Sequence, residues 1–313
     1  MIIDSLEKGQ LTAGPLNVDD LPILNNSLED HAEQFLNSDA SSAFGPNYRA
    51  GVLALPDTDL SDDQDLHIQV DRRAYRCRHF RTGGICHIYK ALPVDHPGAV
   101  LAIKMIQERW YNQPKVRRQF SLESQILREL NHPGVPSYVC RGMIKQRPFF
   151  AYRFIDSQQL IQIYQHTEFF SPAILKSMAL PITISLLKIL MHLHQRLNPV
   201  VHGDISAENI LIDSEHQVRL IDFGCARFRS MSTSQSGRWV GKPSFATPEQ
   251  AKGQEWNERS DIYQTGIIFY ELVTGKRWNR GQNTRDKLRF AAEAPIPKAS
   301  FLANYVSLPI SLI

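Results

Sequence analysis

The segment 197–224, LNPVVHGDISAENILIDSEHQVRLIDFG, constrains the fold of this chain more than any other. Ile210 to Ile212 and Gln217 to Ile221 are short apolar or alternating runs, separated by the turn formers Asp213, Ser214 and Glu215. That pattern predicts a tight β-hairpin. Antiparallel pairing brings the outer ends of a hairpin together, and here those ends are Asn209 and Asp222. An amide oxygen beside a carboxylate is a pair of hard donors suited to Mg²⁺ that shares phosphate oxygens. Asp204 lies in the same loop, placed to orient a hydroxyl or accept its proton next to a metal-bound phosphate. Each of these residues alone reads as an ordinary turn position. As a set at this spacing they form a phosphoryl-transfer constellation.

Around this centre the chain divides by charge. Residues 1–71 hold 14 Asp/Glu against 2 Lys/Arg, whereas residues 72–313 hold 33 Lys/Arg against 18 Asp/Glu. The first part has little sustained periodicity and ends in DTDLSDDQD, so it reads as an acidic, largely disordered leader. The basic run RRAYRCRHFR follows at once. It reads as a solvated strand face rather than a nucleic-acid site, and an intramolecular contact with the acidic leader is a second expectation. With 42% hydrophobic and 21% charged residues, the 313-residue chain is neither disordered throughout nor a disulfide miniprotein. Cys77, Cys86, Cys140 and Cys225 form no C-x-x-C pair, so free thiols in a reducing compartment are expected. The apolar stretch Ala173 to Leu193 is broken by Lys176, Pro181, Lys188 and His192, and no membrane helix is expected. No basic patch leads into an apolar run at the N-terminus, which points to a cytoplasmic protein.

Two further segments have clear periodicity. From Pro114 to Leu130, the residues Val116, Phe120, Leu127 and Leu130 form one helical stripe, and Glu123 falls on it. A carboxylate facing a core needs a partner, and Lys104 at the end of the apolar strand LAIK is the candidate. Further on, Asp261 opens an apolar helix that stops at Gly275.

These residues resemble the signature set of the protein kinases, specifically eukaryotic-like serine/threonine kinases of the bacterial branch. The set appears as Leu101-Ala102-Ile103-Lys104, Glu123, His202-Gly203-Asp204 with Asn209, Asp222-Phe223-Gly224 and Thr247-Pro248-Glu249, in order. The resemblance implies a bilobed α+β fold. An acidic extension over 1–71 would precede an N-lobe of antiparallel strands with one helix over 72–155. A mainly helical C-lobe over 156–313 would lack its last helices, leave Glu249 without its usual Arg, and be marginally stable. The implied reaction is ATP-dependent phosphorylation of Ser/Thr hydroxyls on protein substrates. Asp204 would be catalytic, Lys104 would hold the ATP phosphates with Glu123 as its partner, and Asn209 and Asp222 would bind Mg²⁺. The nucleotide would lie beneath Gly83 and Gly84, between Ile88, Ala102 and Leu211, against a hinge running from Arg153 to Ile155, with Tyr152 narrowing the back. Asp261 would anchor the catalytic loop, or serve as a helix cap.

The departures from the pattern are equally informative. Of the three loop glycines only the middle one, Gly83, is kept, while Arg81 and Cys86 replace the others, which is expected to weaken ATP binding. Gly203 replaces the Arg that in many kinases receives a phosphorylated activation loop. Modification at Ser230, Ser232, Thr233, Ser234 or Ser236 would then act without that switch. Ser206 stands where the family has a Lys, and Lys242 where it has a Thr, as if the cation had moved to the opposite wall. Cys225 reads as a small packed thiol. The string H-G-D-x-x-x-x-N with I-D-F also resembles aminoglycoside and choline phosphotransferases, but Thr247-Pro248-Glu249 and the stretch Gly241 to Phe245 belong to a peptide-docking segment. A catalytically weak pseudokinase that acts as a binding module is the third reading.

Overall fold

The computed structural model describes residues 66–70, 72–94, 98–144, 146–165, 172–231 and 241–294. A six-stranded antiparallel sheet forms the N-lobe in the order β1-β2-β3-β4-β6-β5. Its strands are β1 Leu66–Val70, β2 Arg73–Thr82, β3 Cys86–Pro93, β4 Leu101–Ile106, β5 Tyr138–Ile144 and β6 Arg147–Arg153. A short helix, α1 Glu108–Tyr111, and the long α2 Pro114–Glu129 lie between β4 and β5.

The sheet begins before the boundary expected at residue 72. Leu66, Ile68 and Val70 alternate into the core, and β1 pairs with β2 from Leu66 opposite Cys77 to Val70 opposite Arg73. An alternating strand beside an apolar neighbour buries about 25 cal/mol per Å² of apolar surface, enough to outweigh the acidic flank. The rest of the leader, its expected contact with the basic run, the candidate sites at 232–236, and the residues after 294 lie outside the described residues.

The pleat sorts the sheet into two faces. Tyr75, Cys77, Tyr89, Ala91, Leu101, Ile103, Met105, Phe149 and Ala151 form the core on one face. On the other face the register sets Ile88 opposite Lys104 and Lys104 opposite Phe150, with Ala102 opposite Tyr152. This second face meets α2, whose buried Phe120, Ile126 and Leu127 pack against Phe150 and the main core. Because β4 is covered on both sides, it reads as an unbroken apolar run in which Lys104 is the only ionisable side chain.

Below the sheet the chain continues as β7 Ser157–Gln159, α3 Leu160–Gln165 and α4 Pro172–His194, and then as β8 Val200–Val201, β9 Ile210–Asp213, β10 Val218–Leu220 and β11 Arg227–Phe228. The helices α5 Pro248–Ala251, α6 Glu258–Thr274 and α7 Thr284–Glu293 complete it. The predicted hairpin is β9–β10, paired from Ile210 opposite Leu220 to Ile212 opposite Val218. Its base is closed by the Ile221 N–H donating to the Asn209 carbonyl at 2.8 Å, which sets Asn209 beside Asp222.

Residues Ser177–His194 of α4 have the length and composition of a membrane span. In the fold one stripe of it, Ala179, Ile182, Leu186, Ile189, Leu190 and Leu193, is buried in the main core, as in a core helix. Truncating one such residue to Ala costs about 2–5 kcal/mol. α6 begins earlier than expected, since its cap is Asn257, in a reciprocal capping box with Ser260 worth about 1 kcal/mol. Asp261, expected to open the helix, lies within its first turn. Gly275 ends it at φ 65°, as predicted.

Candidate active site

The N-lobe wall of the site is built around Lys104. Its Nζ donates to both carboxylate oxygens of Glu123 at 2.7 and 2.9 Å, and to Asp222 Oδ1 at 2.8 Å. Glu123 is buried on the α2 stripe, where burial pushes its carboxyl up to about 7 against the opposing pull of Lys104. Burial alone would lower the Lys104 ammonium, but Asp222 and Glu123 together hold it well above its ordinary value. The ammonium of Lys104 keeps Asp222 well below the usual carboxylate range. Asp222 has a left-handed backbone at φ 63°, and its carboxylate accepts from Gly224 N–H while remaining 48% exposed to the cleft.

The opposite wall is the loop from His202 to Asn209, anchored from below by α6. Asp261, fully buried, accepts from the His202 N–H at 2.9 Å and the Gly203 N–H at 2.8 Å. It also lies 2.8 Å from His194 Nε2. Of its two expected roles, anchor or helix cap, this geometry is that of the anchor. One turn later Gln264 accepts from the Ile205 N–H at 2.9 Å. His202 is buried and donates through Nε2 to the Ile221 carbonyl at 3.2 Å, leaving Nδ1 to accept from the Asp204 N–H. An accepting Nδ1 requires the neutral ring, and burial lowers the pKa in the same direction. The backbone N–H groups of His202, Gly203 and Ile205 are thus satisfied by residues 58–59 positions away, which fixes the orientation of Asp204.

Asp204, Asn209 and Lys242 meet on this wall. Lys242 donates through its backbone N–H to Asp204 Oδ1 at 2.9 Å, and through Nζ to Asp204 Oδ2 at 3.1 Å and Asn209 Oδ1 at 3.0 Å. Asn209 Nδ2 in turn donates to Asp204 Oδ2 at 3.0 Å and to the Asp204 carbonyl at 2.8 Å. Burial raises the Asp204 carboxyl above its ordinary range, with Lys242 opposing. Ser206 is fully buried, and its hydroxyl has no hydrogen-bond partner among the described residues.

The glycine-rich turn forms the roof, and its bracing had no signal in the sequence. Gln107 Nε2 donates to the Gly83 carbonyl at 2.6 Å, Trp110 Nε1 to the Gly84 carbonyl at 2.8 Å, and the Gln107 N–H to the Ile85 carbonyl. Cys86 is buried in the main core, and burial pushes its thiol up to about 12. Ile88 and Ala102 lie on the same sheet face as Lys104. Arg153 ends β6 with its side chain exposed, and Ile155 follows Phe154, whose N–H is taken by the Val100 carbonyl. Leu211 is half-buried on β9, two positions after Asn209. Burial also holds the Cys225 thiol protonated, consistent with a packed thiol.

Glu249, expected to lack a partner, accepts from the Ser260 hydroxyl. Arg277 pairs with Glu271 at 3.0 Å.

A curled antiparallel lobe carrying one paired lysine, joined to a helical lobe whose loop acids face it, is the architecture of the bilobed kinases. The protein kinase domain family matches residues 79–302, more than half of the chain, and the chain belongs to that family. It is similar to the probable serine/threonine-protein kinase SCO3848 of Streptomyces coelicolor, 29% identical over 202 residues, covering 61% of this chain and 28% of that protein. It is also similar to the serine/threonine-protein kinase pkn2 of Myxococcus xanthus, 29% identical over 256 residues, with 78% and 30% covered. A third relative is the probable serine/threonine-protein kinase PknB of Corynebacterium glutamicum, 27% identical over 231 residues, with 71% and 35% covered. The chain spans about a third of the length of these curated relatives.

Proposed function

We propose that the chain transfers the γ-phosphoryl group of ATP to Ser/Thr hydroxyls of protein substrates. The observation that carries this reading is the convergence of the Lys104–Glu123–Asp222 set on one wall and Asp204 with Lys242 and Asn209 on the other. Lys104 is a permanent ammonium for the α- and β-phosphates, held in place by Glu123. Asp204 accepts the hydroxyl proton, and its raised pKa brings it closer to the range useful to a base at neutral pH. Lys242 steadies the Asp204 carboxylate and offers its charge where negative charge grows in the transition state. Ile88, Ala102 and Leu211 supply apolar surface to the base, the backbone of Arg153 and Ile155 supplies its hydrogen bonds, and the amides of Gly83 and Gly84 cover the phosphates.

The donor set suits Mg²⁺. Asn209 offers an amide oxygen and Asp222 a carboxylate, both hard donors of the kind that ion takes. When bound, Mg²⁺ would be held by Asn209 and Asp222 and would neutralise phosphate charge. The four free cysteines and the need for ATP fit a cytoplasmic place of action. Protein rather than small-molecule substrates are favoured by the segment from Gly241 to Phe245, which is held over the loop by Lys242 and whose Pro243 carbonyl accepts from Asn279.

The test offers γ-labelled ATP to the full chain with a generic protein substrate, an aminoglycoside and choline in parallel. Label is expected on Ser or Thr of the protein. Label on a small molecule alone, or nucleotide-dependent thermal stabilisation without any transfer, would replace this reading.

A further inference from the structure

Gly203 has φ 73°, and a Cβ built on it would lie 2.4 Å from the ring of Trp256. The indole therefore fills the space that any side chain at position 203 would need, one residue before Asp204. The guanidinium of Arg227 lies 4.7 Å from the centroid of the Trp256 ring. Arg227 also donates to the Trp256 carbonyl, to the carbonyl of Met231, and at 3.3 and 3.4 Å to those of Phe228 and Arg229. Two further ties run in parallel. Arg229 pairs with Glu258 at 3.3 Å, and the Arg229 N–H donates to the Pro199 carbonyl at 2.8 Å. Finally β11, which carries Arg227, pairs with β8 directly before His202.

We infer that Trp256 and Arg227 are positioning residues that fasten the start of the activation segment to the catalytic loop, so that the site is assembled without a phosphoryl group on that segment. This rests on the function proposed above and adds its mode of regulation. A segment phosphate would need a free cation beside the catalytic loop. Position 203 has none, and Arg227 directs its Nη1 and Nη2 donors to backbone carbonyls while its Nε is buried. The acids acting on Arg227 are Glu255, Glu258 and Asp261, of which Glu258 is already paired with Arg229, so acidic groups outnumber the added cation and disfavour a phosphate there. Tryptophan offers a cation the best of the aromatic faces, and here that contact replaces a regulated ionic tie by a permanent one. The arrangement also accounts for a catalytic cation on the segment itself, because Lys242 can reach Asp204 dependably only if the segment is held.

The test uses the full chain, produced together with a phosphatase. The variant with Ser230, Ser232, Thr233, Ser234 and Ser236 all changed to Ala is expected to keep kcat within about twofold of the wild type. A loss of more than about tenfold, restored by phosphorylation in the wild type, would overturn the inference. In Trp256→Ala and Arg227→Ala, hydrogen exchange in peptides covering 200–206 and 226–231 should accelerate by about tenfold, the loss of one such contact. kcat should fall by a similar factor, with binding of a fluorescent ADP analogue unchanged and Trp256→Phe largely rescued. Unchanged exchange at both peptides in both variants would also overturn it. If the wild type transfers no phosphate, the proposed function fails while the exchange measurement still decides the clamp.

Discussion

The two walls of the cleft reach similar electrostatics by different routes. On the N-lobe wall, Lys104 and Glu123 pair as their motifs announce, and Asp222 adds a second, unexpected partner to the same ammonium. On the catalytic-loop wall the cation comes from Lys242, 38 residues beyond Asp204, while the loop's own position 206 holds a serine whose buried hydroxyl bonds nothing among the described residues. The difference shows that the chemistry constrains where a charge lies in space and not which stretch of chain carries it. An ammonium about 3 Å from a buried carboxylate offsets much of that carboxylate's desolvation from either direction.

The largest expected effects follow from charges that both walls require. Asp204→Asn and Asp222→Asn keep shape and remove charge, so each should lower phosphotransfer by about 10²–10⁴ while circular dichroism shows the fold retained. Near-normal activity in either would break the equivalence of the walls. The relocation itself is tested by a double-mutant cycle. Lys242→Thr should cost about 10²-fold in kcat, the scale of losing one preorganised charge donor. Ser206→Lys in that background should recover about a tenth of the loss, since it returns an ammonium to the same carboxylate. Strictly additive losses would show that the two positions are uncoupled.

How legible these walls were depends on how far each interaction reaches along the chain. The hairpin, the α2 stripe with Glu123, and the stop at Gly275 have local period or turn chemistry, so the sequence announced them. The exchange of Ser206 and Lys242 could be suspected only because two departures from a pattern were complementary. Trp256, Arg227, Gln107 and Trp110 act through tertiary contacts with backbone carbonyls or a bare Cα, and no residue type or spacing encodes those. β1 was missed because its five residues follow a run of carboxylates, although Leu66, Ile68 and Val70 do alternate. Glu249 was expected to need an Arg because sequence patterns record preferred partners, whereas a serine hydroxyl one helix away satisfies it.

The same contrast between roof and loop can be drawn glycine against glycine. A methyl group added at Gly84 in the roof meets nothing within 4 Å, whereas one at Gly203 meets the Trp256 ring on a left-handed backbone. Gly84→Ala should therefore leave thermal stability unchanged. Gly203→Ala should lose about 2 kcal/mol or more from overpacking and strain, or roughly 5 °C in Tm. Equal melting temperatures for the two variants would mean that the loop yields to the ring, and that the wall is less fixed than its hydrogen bonds imply.

The smallest expected effect separates the two ties of Lys104 by pH. Asp222 is held below the ordinary carboxylate range and stays ionised through neutrality, whereas Glu123, pushed up to about 7, titrates there. As pH falls from 8 to 6, Glu123 takes up a proton and releases its hold on Lys104, so KM for ATP should rise a few fold while Asp222 keeps the lysine charged. Stability and ATP affinity respond to this proton in opposite senses. Between the ordinary value of 4.5 and about 7 the folded chain binds this proton and the unfolded chain does not, so this group's contribution to stability falls as pH rises through that window. The depressed Asp222 contributes its stability above the unfolded carboxylate pKa of about 4, and adds no slope across that upper range. In Glu123→Gln, KM should be high and flat from pH 6 to 8, and the fall in Tm across the same range should diminish. A wild-type KM that does not change with pH would show that Asp222 alone positions Lys104, leaving the α2 glutamate a packing role.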